Sequence, residues 1–218
     1  VRSKHVDDYN HDEWADGYDA DVAQEDNPIR AGYEAVLDWV VQAADIRPDS
    51  RVLELGSGTG NLTARISACK EITCVDVSRR MEGFALQKVG HLLQKRKFVE
   101  ADLLEVFEHS LGLFDRVIST YAVHHLTREE KRLLFEKVWA CLLPGGRAAF
   151  GDLMLEDEAL AAVKAAAYRA AGQEDVAESI EEEFFWLIDA CVADLEEIGF
   201  TVTVKRFSAL SFGVLAEK

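Results

Sequence analysis

Between Val52 and Thr63 the chain reads VLELGSGTGNLT: a leucine and valine run stops at Gly56-Ser57-Gly58-Thr59-Gly60, and a helix is expected from about Leu62 to Cys69. Glycines at a strand-to-helix turn adopt backbone conformations closed to other residues and let a ligand approach the main chain. The spacing is GxGxG. Asn61 stands where a dinucleotide fingerprint has its third glycine, and no Lys-Ser/Thr pair follows as in a phosphate loop. Two carboxylates then fall where a nucleoside needs acceptors. Asp76, sixteen residues past Gly60, ends the run ITCVD and can accept from both ribose hydroxyls. Asp102, in FVEADLL, can accept from an adenine exocyclic amine. Further on, Tyr121-Ala122-Val123-His124-His125 leaves a strand edge, and His124 and His125 are candidates for proton transfer. They suggest no metal site, because adjacent side chains are expected to diverge and no third ligand is evident. Cys69, Cys74, Cys141 and Cys191 form no CxxC pair and read as small buried hydrophobes.

The elements that must position these residues follow from periodicity. Tyr33, Val36, Leu37 and Val40 share one helical face. RVLEL, ITCV, KFV, FDRVIS and RAAFGDL read as strands, with helices over Arg80–Val89 and Arg128–Leu142. Strand and helix alternate with short connections, which requires a mostly parallel sheet covered on both faces. A long helical region, Glu156–Ala171 and Val176–Ile198, is expected next, capped by Gly199. FTVTVKR and LSFGVLA follow with a link too short for a crossover, so they form a hairpin. The expected architecture is one doubly wound α/β domain over 1–218, with an N-terminal helical cap over 1–46 and a helical insertion over 154–198.

The 218 residues carry 24 Lys+Arg against 40 Asp+Glu, a formal charge of −16. That balance argues against the basic footprint of a nucleic-acid binder and against an anionic membrane surface. No stretch is apolar enough for a membrane span, and six acidic side chains in the first twenty residues are the reverse of a secretory signal, so a cytoplasmic location is expected. The charge is unevenly spread. Residues 1–30 hold nine acidic and three basic side chains, and residues 151–199 hold fourteen acidic and two basic. The remainder is close to neutral.

VLELGSGTG, VDVS with Asp76, EADLLE with Asp102, FDRVISTYAVHHLT and LLPGGRAAF resemble, in order, the motifs of class I methyltransferases that use S-adenosyl-L-methionine. WADGYDADV, GNLT, STYAVHHLTREEK and EEEFFWLIDACVADLEEIGFTVT resemble more closely the bacterial YrrT-type methyltransferases. One departure is Asp76, where that group often has glutamate; either carboxylate chelates a ribose diol. The resemblance implies a Rossmann-like, seven-stranded sheet with the last strand antiparallel. It implies that Gly56, Ser57, Gly58 and Gly60 face the cofactor's methionine part, Asp76 the ribose and Asp102 the adenine. An N-terminal segment containing Trp14 and Tyr18 would close over the cofactor, with Arg30 as a carboxylate partner. The implied activity is methyl transfer (EC 2.1.1.-) to a small-molecule acceptor, with a link to sulfur amino-acid metabolism. The insertion, with Phe184, Phe185, Trp186 and Ile188 among acidic residues, would form a wall favouring a neutral or cationic, partly apolar acceptor. Two other readings compete: an NAD-dependent oxidoreductase, against which the glycine spacing counts, and a non-catalytic S-adenosylmethionine-binding protein. The oligomeric state has no signature in the sequence.

Overall fold

Val52, Leu53 and Leu55 leave the first strand without a polar face, and a strand of that composition needs cover on both sides. In the computed structural model, which describes residues 1–8 and 11–218, it has that cover. The strands are β1 (Arg51–Leu55), β2 (Glu71–Asp76), β3 (Arg96–Glu100), β4 (Phe114–Thr120), β5 (Leu142–Leu155), β6 (Trp186–Leu187), β7 (Thr201–Arg206) and β8 (Ser211–Glu217). Seven of them form a sheet of order β3-β2-β1-β4-β5-β8-β7, with β8 antiparallel to both its neighbours. The mostly parallel sheet with its antiparallel last strand is therefore as expected. β6 adds a two-residue parallel pairing with the end of β5.

Helices α1 (Tyr18–Val22), α2 (Tyr33–Ala44), α3 (Arg79–Lys88), α4 (Arg128–Cys141), α5 (Glu158–Ala170), α6 (Glu174–Glu182) and α7 (Ile188–Ile198) complete the chain. Alternate strand residues serve two cores. Val52, Ile118 and Ala149 pack with Val36, Leu37 and Val40 of α2, whereas Leu53, Val117, Ala148 and Phe150 pack with Leu134 and Phe135 of α4 and Leu195 of α7. α2 comes close to the sheet because a cross-strand glycine pair, Gly151 and Gly213, lies beneath it. A Cβ at Gly151 would sit 2.2 Å from Val36 Cγ1, and one at Gly213 would sit 2.2 Å from the Trp39 ring.

The structure departs from the sequence reading in three places. The helix expected over Leu62–Cys69 shrinks to a 3-10 turn, Thr63–Arg65, because the Thr63 hydroxyl donates to buried Glu54 and Ile66 turns extended into the core. The continuous helix expected over Val176–Ile198 breaks into α6, β6 and α7. Trp186, fully buried against Phe135 and Phe150, pulls the chain onto the edge of β5. Within 1–46, α2 belongs to the core, and within 154–198, α7 packs on α4, so the parts outside the sheet layers are the segment before α2 and the α5–α6 pair. Gly213→Ala is expected to destabilise the fold by about 1–3 kcal/mol through overpacking against Trp39. Urea unfolding followed by circular dichroism, with an unchanged m-value, checks this.

Candidate functional site

At the carboxyl end of β1 the chain reverses through Gly56, Gly58 and Gly60, all with positive φ (69°, 49° and 79°). Two of them are also held by contact. A Cβ at Gly56 would lie 2.3 Å from Ala122 Cβ, and one at Gly60 would lie 2.9 Å from Ala85 Cβ, whereas Gly58 has open space. The turn is thus pinned at both ends and bare in the middle, where a ligand can meet main-chain atoms. Ser57 is buried, its N–H donates to Val75 O at 2.9 Å, and its Oγ has no hydrogen-bond partner among the described residues.

Asp76 lies beside this turn. Its Oδ2 accepts from Gly58 N at 2.8 Å and its Oδ1 from Ser78 N at 2.9 Å. Burial raises the Asp76 pKa above the ordinary carboxylate value, partly offset by those two bonds. Gly56, Asp76, Val77, Asp102, Leu103 and His125 line a common cleft of about 450 Å³ including its open mouth. Asp102 is buried and takes several donors. Oδ1 accepts from Ser3 N (3.0 Å), Leu104 N (2.9 Å) and Glu105 N (3.2 Å), and Oδ2 accepts from Ser3 Oγ at 2.5 Å. The N-terminal segment therefore rests on Asp102, the carboxylate expected to meet adenine.

The same segment crosses the glycine turn. Asp19 accepts from Thr59 Oγ1 (2.6 Å) and Asn61 Nδ2 (3.0 Å) and pairs with Lys88 (2.5 Å). Asn61, in place of a third glycine, is thus used to fasten α1. Trp14 and Tyr18 do not share a helical face: Trp14 ends a 3-10 turn and is 72% exposed, and Tyr18 opens α1. Both line a neighbouring cavity with Asp21 and Arg30. Burial pushes the Tyr18 hydroxyl up to about 12, with Arg30 opposing and Asp76, Asp21 and Asp19 adding. Arg30 is engaged within the segment itself, donating to Asp21 through Nε (3.0 Å) and Nη2 (2.7 Å).

After β4 the chain turns at Tyr121, a non-glycine residue at φ 49°, and the two histidines follow. They do not diverge as expected; their ring centroids lie 4.0 Å apart. His125 lines the cleft, whereas His124 is buried beside Asp152. Asp152 Oδ1 accepts from His124 Nδ1 at 2.5 Å and from Leu153 N at 2.8 Å, and Oδ2 accepts from Val123 N (2.9 Å), His124 N (3.1 Å) and Trp186 Nε1 (3.2 Å). His124 Nε2 faces Glu183 Oε2 at 3.3 Å. A third ligand-type group, which the sequence reading did not supply, is therefore present.

Glu183 lines a second cavity, about 940 Å³ including its mouth, with Phe184, Phe185, Leu155, Arg128 and Lys131. Of the four residues expected to form an acceptor wall, Phe184 and Phe185 line this cavity, whereas Trp186 and Ile188 pack into the core. The wall is not uniformly acidic. Burial lowers the Lys131 ammonium to about 8, and its Nζ donates to the carbonyls of Leu126 and Phe184. Asp152 was findable in the sequence by the rule that drew attention to Asp76 and Asp102, a carboxylate at the carboxyl end of a strand. Glu183, one of three consecutive glutamates, had no such signal.

A family model described as a methyltransferase domain matches residues 52–146. An uncharacterized methyltransferase of Anoxybacillus flavithermus is 36% identical over 195 residues, 87% of each chain. One of Bacillus pumilus is 33% identical over 212 residues, 95% of each chain. Solved structures share the fold at lower identity. N-methyltransferase NodS of Bradyrhizobium japonicum, in complex with S-adenosyl-L-homocysteine, superposes with a TM-score of 0.63 at 19% identity, covering 96% of this chain and 93% of that one. Magnesium protoporphyrin IX methyltransferase of Synechocystis, with bound S-adenosyl-L-homocysteine, gives 0.65 at 20% identity over 88% and 85%.

Glu54, an acid inside the apolar run VLEL, lies 1% exposed beneath the glycine turn. Its Oε2 accepts from Thr63 Oγ1 at 2.6 Å, and its Oε1 has no hydrogen-bond partner among the described residues. Burial raises its pKa from 4.5 to about 7. Between those two values the folded protein holds a proton on Glu54 that the unfolded chain has lost, so the stabilisation is present below pH 4.5 and is lost as pH rises to 7. Relative to Glu54→Gln, the wild type is expected to lose up to about 3 kcal/mol across this range. Urea titrations of both proteins at stepped pH values check it.

Proposed function

Because this chain belongs to the methyltransferase family of those Anoxybacillus and Bacillus relatives, we propose that the cleft beyond β1 and β2 holds the methyl donor against the glycine turn and presents it to a small-molecule acceptor. S-Adenosyl-L-methionine is that donor. Several features fit it. The backbone at Gly58 is uncrowded, Ser57 Oγ and Glu54 Oε1 are buried without partners among the described residues, and the cleft is bordered by Asp76 and Asp102, two carboxylates able to accept from hydroxyl or amine donors. One observation carries the reading: the Asp76 carboxylate sits 2.8 Å from the amide of Gly58 at the edge of that cleft, so a diol acceptor and open main chain meet at one point.

In this reading Gly56, Ser57, Gly58 and Gly60 lie along the methionine part, Asp76 accepts from the ribose hydroxyls, and Asp102 meets adenine with Ser3 beside it. Tyr18 and Arg30 close the side next to the glycine turn. When bound, S-adenosyl-L-methionine supplies an electrophilic methyl group on a sulfonium whose departure leaves a neutral thioether. The protein's work is then chiefly alignment and exclusion of water, since proximity alone lowers such a barrier by several kcal/mol. His125 lines the donor cleft and Glu183 lines the second cavity, with His124 between them. The acceptor approaches from that second cavity, and its mixture of Phe184, Phe185, Leu155, Glu183, Arg128 and Lys131 suits a small, partly apolar molecule with polar ends.

Incubating the protein with methyl-labelled donor and a metabolite extract, then identifying the labelled product by mass, tests the acceptor class. Label in a small molecule is expected, and label confined to protein or RNA would refute this reading. Asp76→Ala is expected to weaken S-adenosyl-L-homocysteine binding by about 1–3 kcal/mol, measured by calorimetry. Unchanged affinity would remove Asp76 from the ribose role.

A further inference from the structure

We propose that His124, His125 and Glu183 bind a divalent transition-metal ion of zinc-like chemistry. The binding site rests on geometry alone, whereas its use, activation of the methyl acceptor, rests on the methyl-transfer reading above. One donor atom from each of the three side chains lies within 4.8 Å of the others, the set that converges this way among the described residues. Two imidazoles and a carboxylate are a donor set suited to zinc, and three protein ligands leave one position for a water or substrate.

The His124–Glu183 contact points most directly to a cation. Asp152, ionised, can only accept, so His124 Nδ1 carries the hydrogen that it donates over 2.5 Å. In the neutral imidazole that tautomer leaves a lone pair on Nε2, and it faces the Glu183 carboxylate at 3.3 Å. Two acceptors cannot face each other at that distance without a cation between them. In tetrahedral zinc sites with bonds of about 2.0–2.1 Å, neighbouring ligand atoms are about 3.3–3.4 Å apart, the separation of His124 Nε2 and Glu183 Oε2, with the His125 donor within 4.8 Å of both. Asp152 also supplies the outer carboxylate that orients metal-binding histidines and raises their basicity. Its four other donors hold it rigidly. With Glu183 it places two carboxylates around His124 at a site where a dication is welcome.

The position gives the ion a use. His125 lines the donor cleft and Glu183 the second cavity, so the ion occupies the wall between them. An acceptor hydroxyl or thiol coordinated at the open position has its pKa lowered and releases its proton to water before transfer. No separate base is then required.

Metal-free protein titrated with Zn²⁺ against a chromophoric chelator is expected to take up one equivalent, and Glu183→Gln and His125→Ala to bind at least about 100-fold more weakly. Co²⁺ is expected to give the visible absorption of a tetrahedral nitrogen and oxygen site in the wild type and to lose it in both variants. Circular dichroism confirms that each variant is folded, and either variant alone suffices. Wild-type affinity no tighter than that of the folded variants, or no uptake, overturns the proposal and leaves a proton as the shared cation. S-Adenosyl-L-homocysteine binding to the same metal-free samples is read separately. Its loss would count against the donor cleft, and its retention without metal uptake against the metal site alone.

Discussion

The wall between the two cavities depends on one buried carboxylate. Asp152 is 1% exposed and receives hydrogen bonds from two backbone amides after β4, from its own neighbour on β5, from the His124 ring and from the Trp186 indole. A carboxylate taken out of water at this depth is tolerated only when its lone pairs are filled, and these five donors fill them. The requirement shapes the surroundings. It fixes the loop carrying both histidines, brings Trp186 inward to form β6, and so divides what would otherwise be one long helix into α6 and α7. Glu183 lies at that division, which is why it can reach His124.

The glycine-turn cleft follows a different logic. There the constraint is steric: Ala122 and Ala85 hold the ends of the glycine turn and leave Gly58 bare, while Asp76 ties the turn to β2. The two halves meet at Ala122 and His125, so the loop after β4 is packed against the glycine turn on one side and bonded to Asp152 on the other. Reacting groups must be aligned to within fractions of an ångström for proximity to contribute fully. A loop fixed from both sides meets that demand better than one anchored at a single end.

Most of the framework was legible in the chain because it obeys short-range rules. Tyr33, Val36, Leu37 and Val40 fall on one face of a helix and are all buried in α2, and the alternating strands order the sheet through parallel crossovers. Asp76 and Asp102 could be found because they end strands beside the glycine turn. Other features depended on partners distant in sequence. Thr63 gives up a helix to reach Glu54, and Trp186 does so to reach Asp152, in each case a side-chain bond outcompeting local propensity. The pairing of His124 with Glu183 spans the whole of α4, β5, α5 and α6, and no periodicity encodes a contact of that separation. Arg30 and Asp21, nine residues apart across the turn after α1, pair without any helical or strand periodicity to announce it.

The acidity of the N-terminal segment has a consequence for how that segment is held. Asp16 pairs with Arg80, Asp19 with Lys88 and Asp21 with Arg30, while Ala15 and Val22 are its buried apolar residues near the turn. The sheet and α2, by contrast, are joined through continuous apolar surface. Added electrolyte screens exposed ion pairs over about 8–10 Å near physiological strength and strengthens rather than weakens apolar burial when the salt is kosmotropic. Ionic strength therefore acts on the Asp16–Arg80 and Asp19–Lys88 pairs across the glycine turn and leaves the apolar body, and the hydrogen bonds from Ser3 to Asp102, largely untouched.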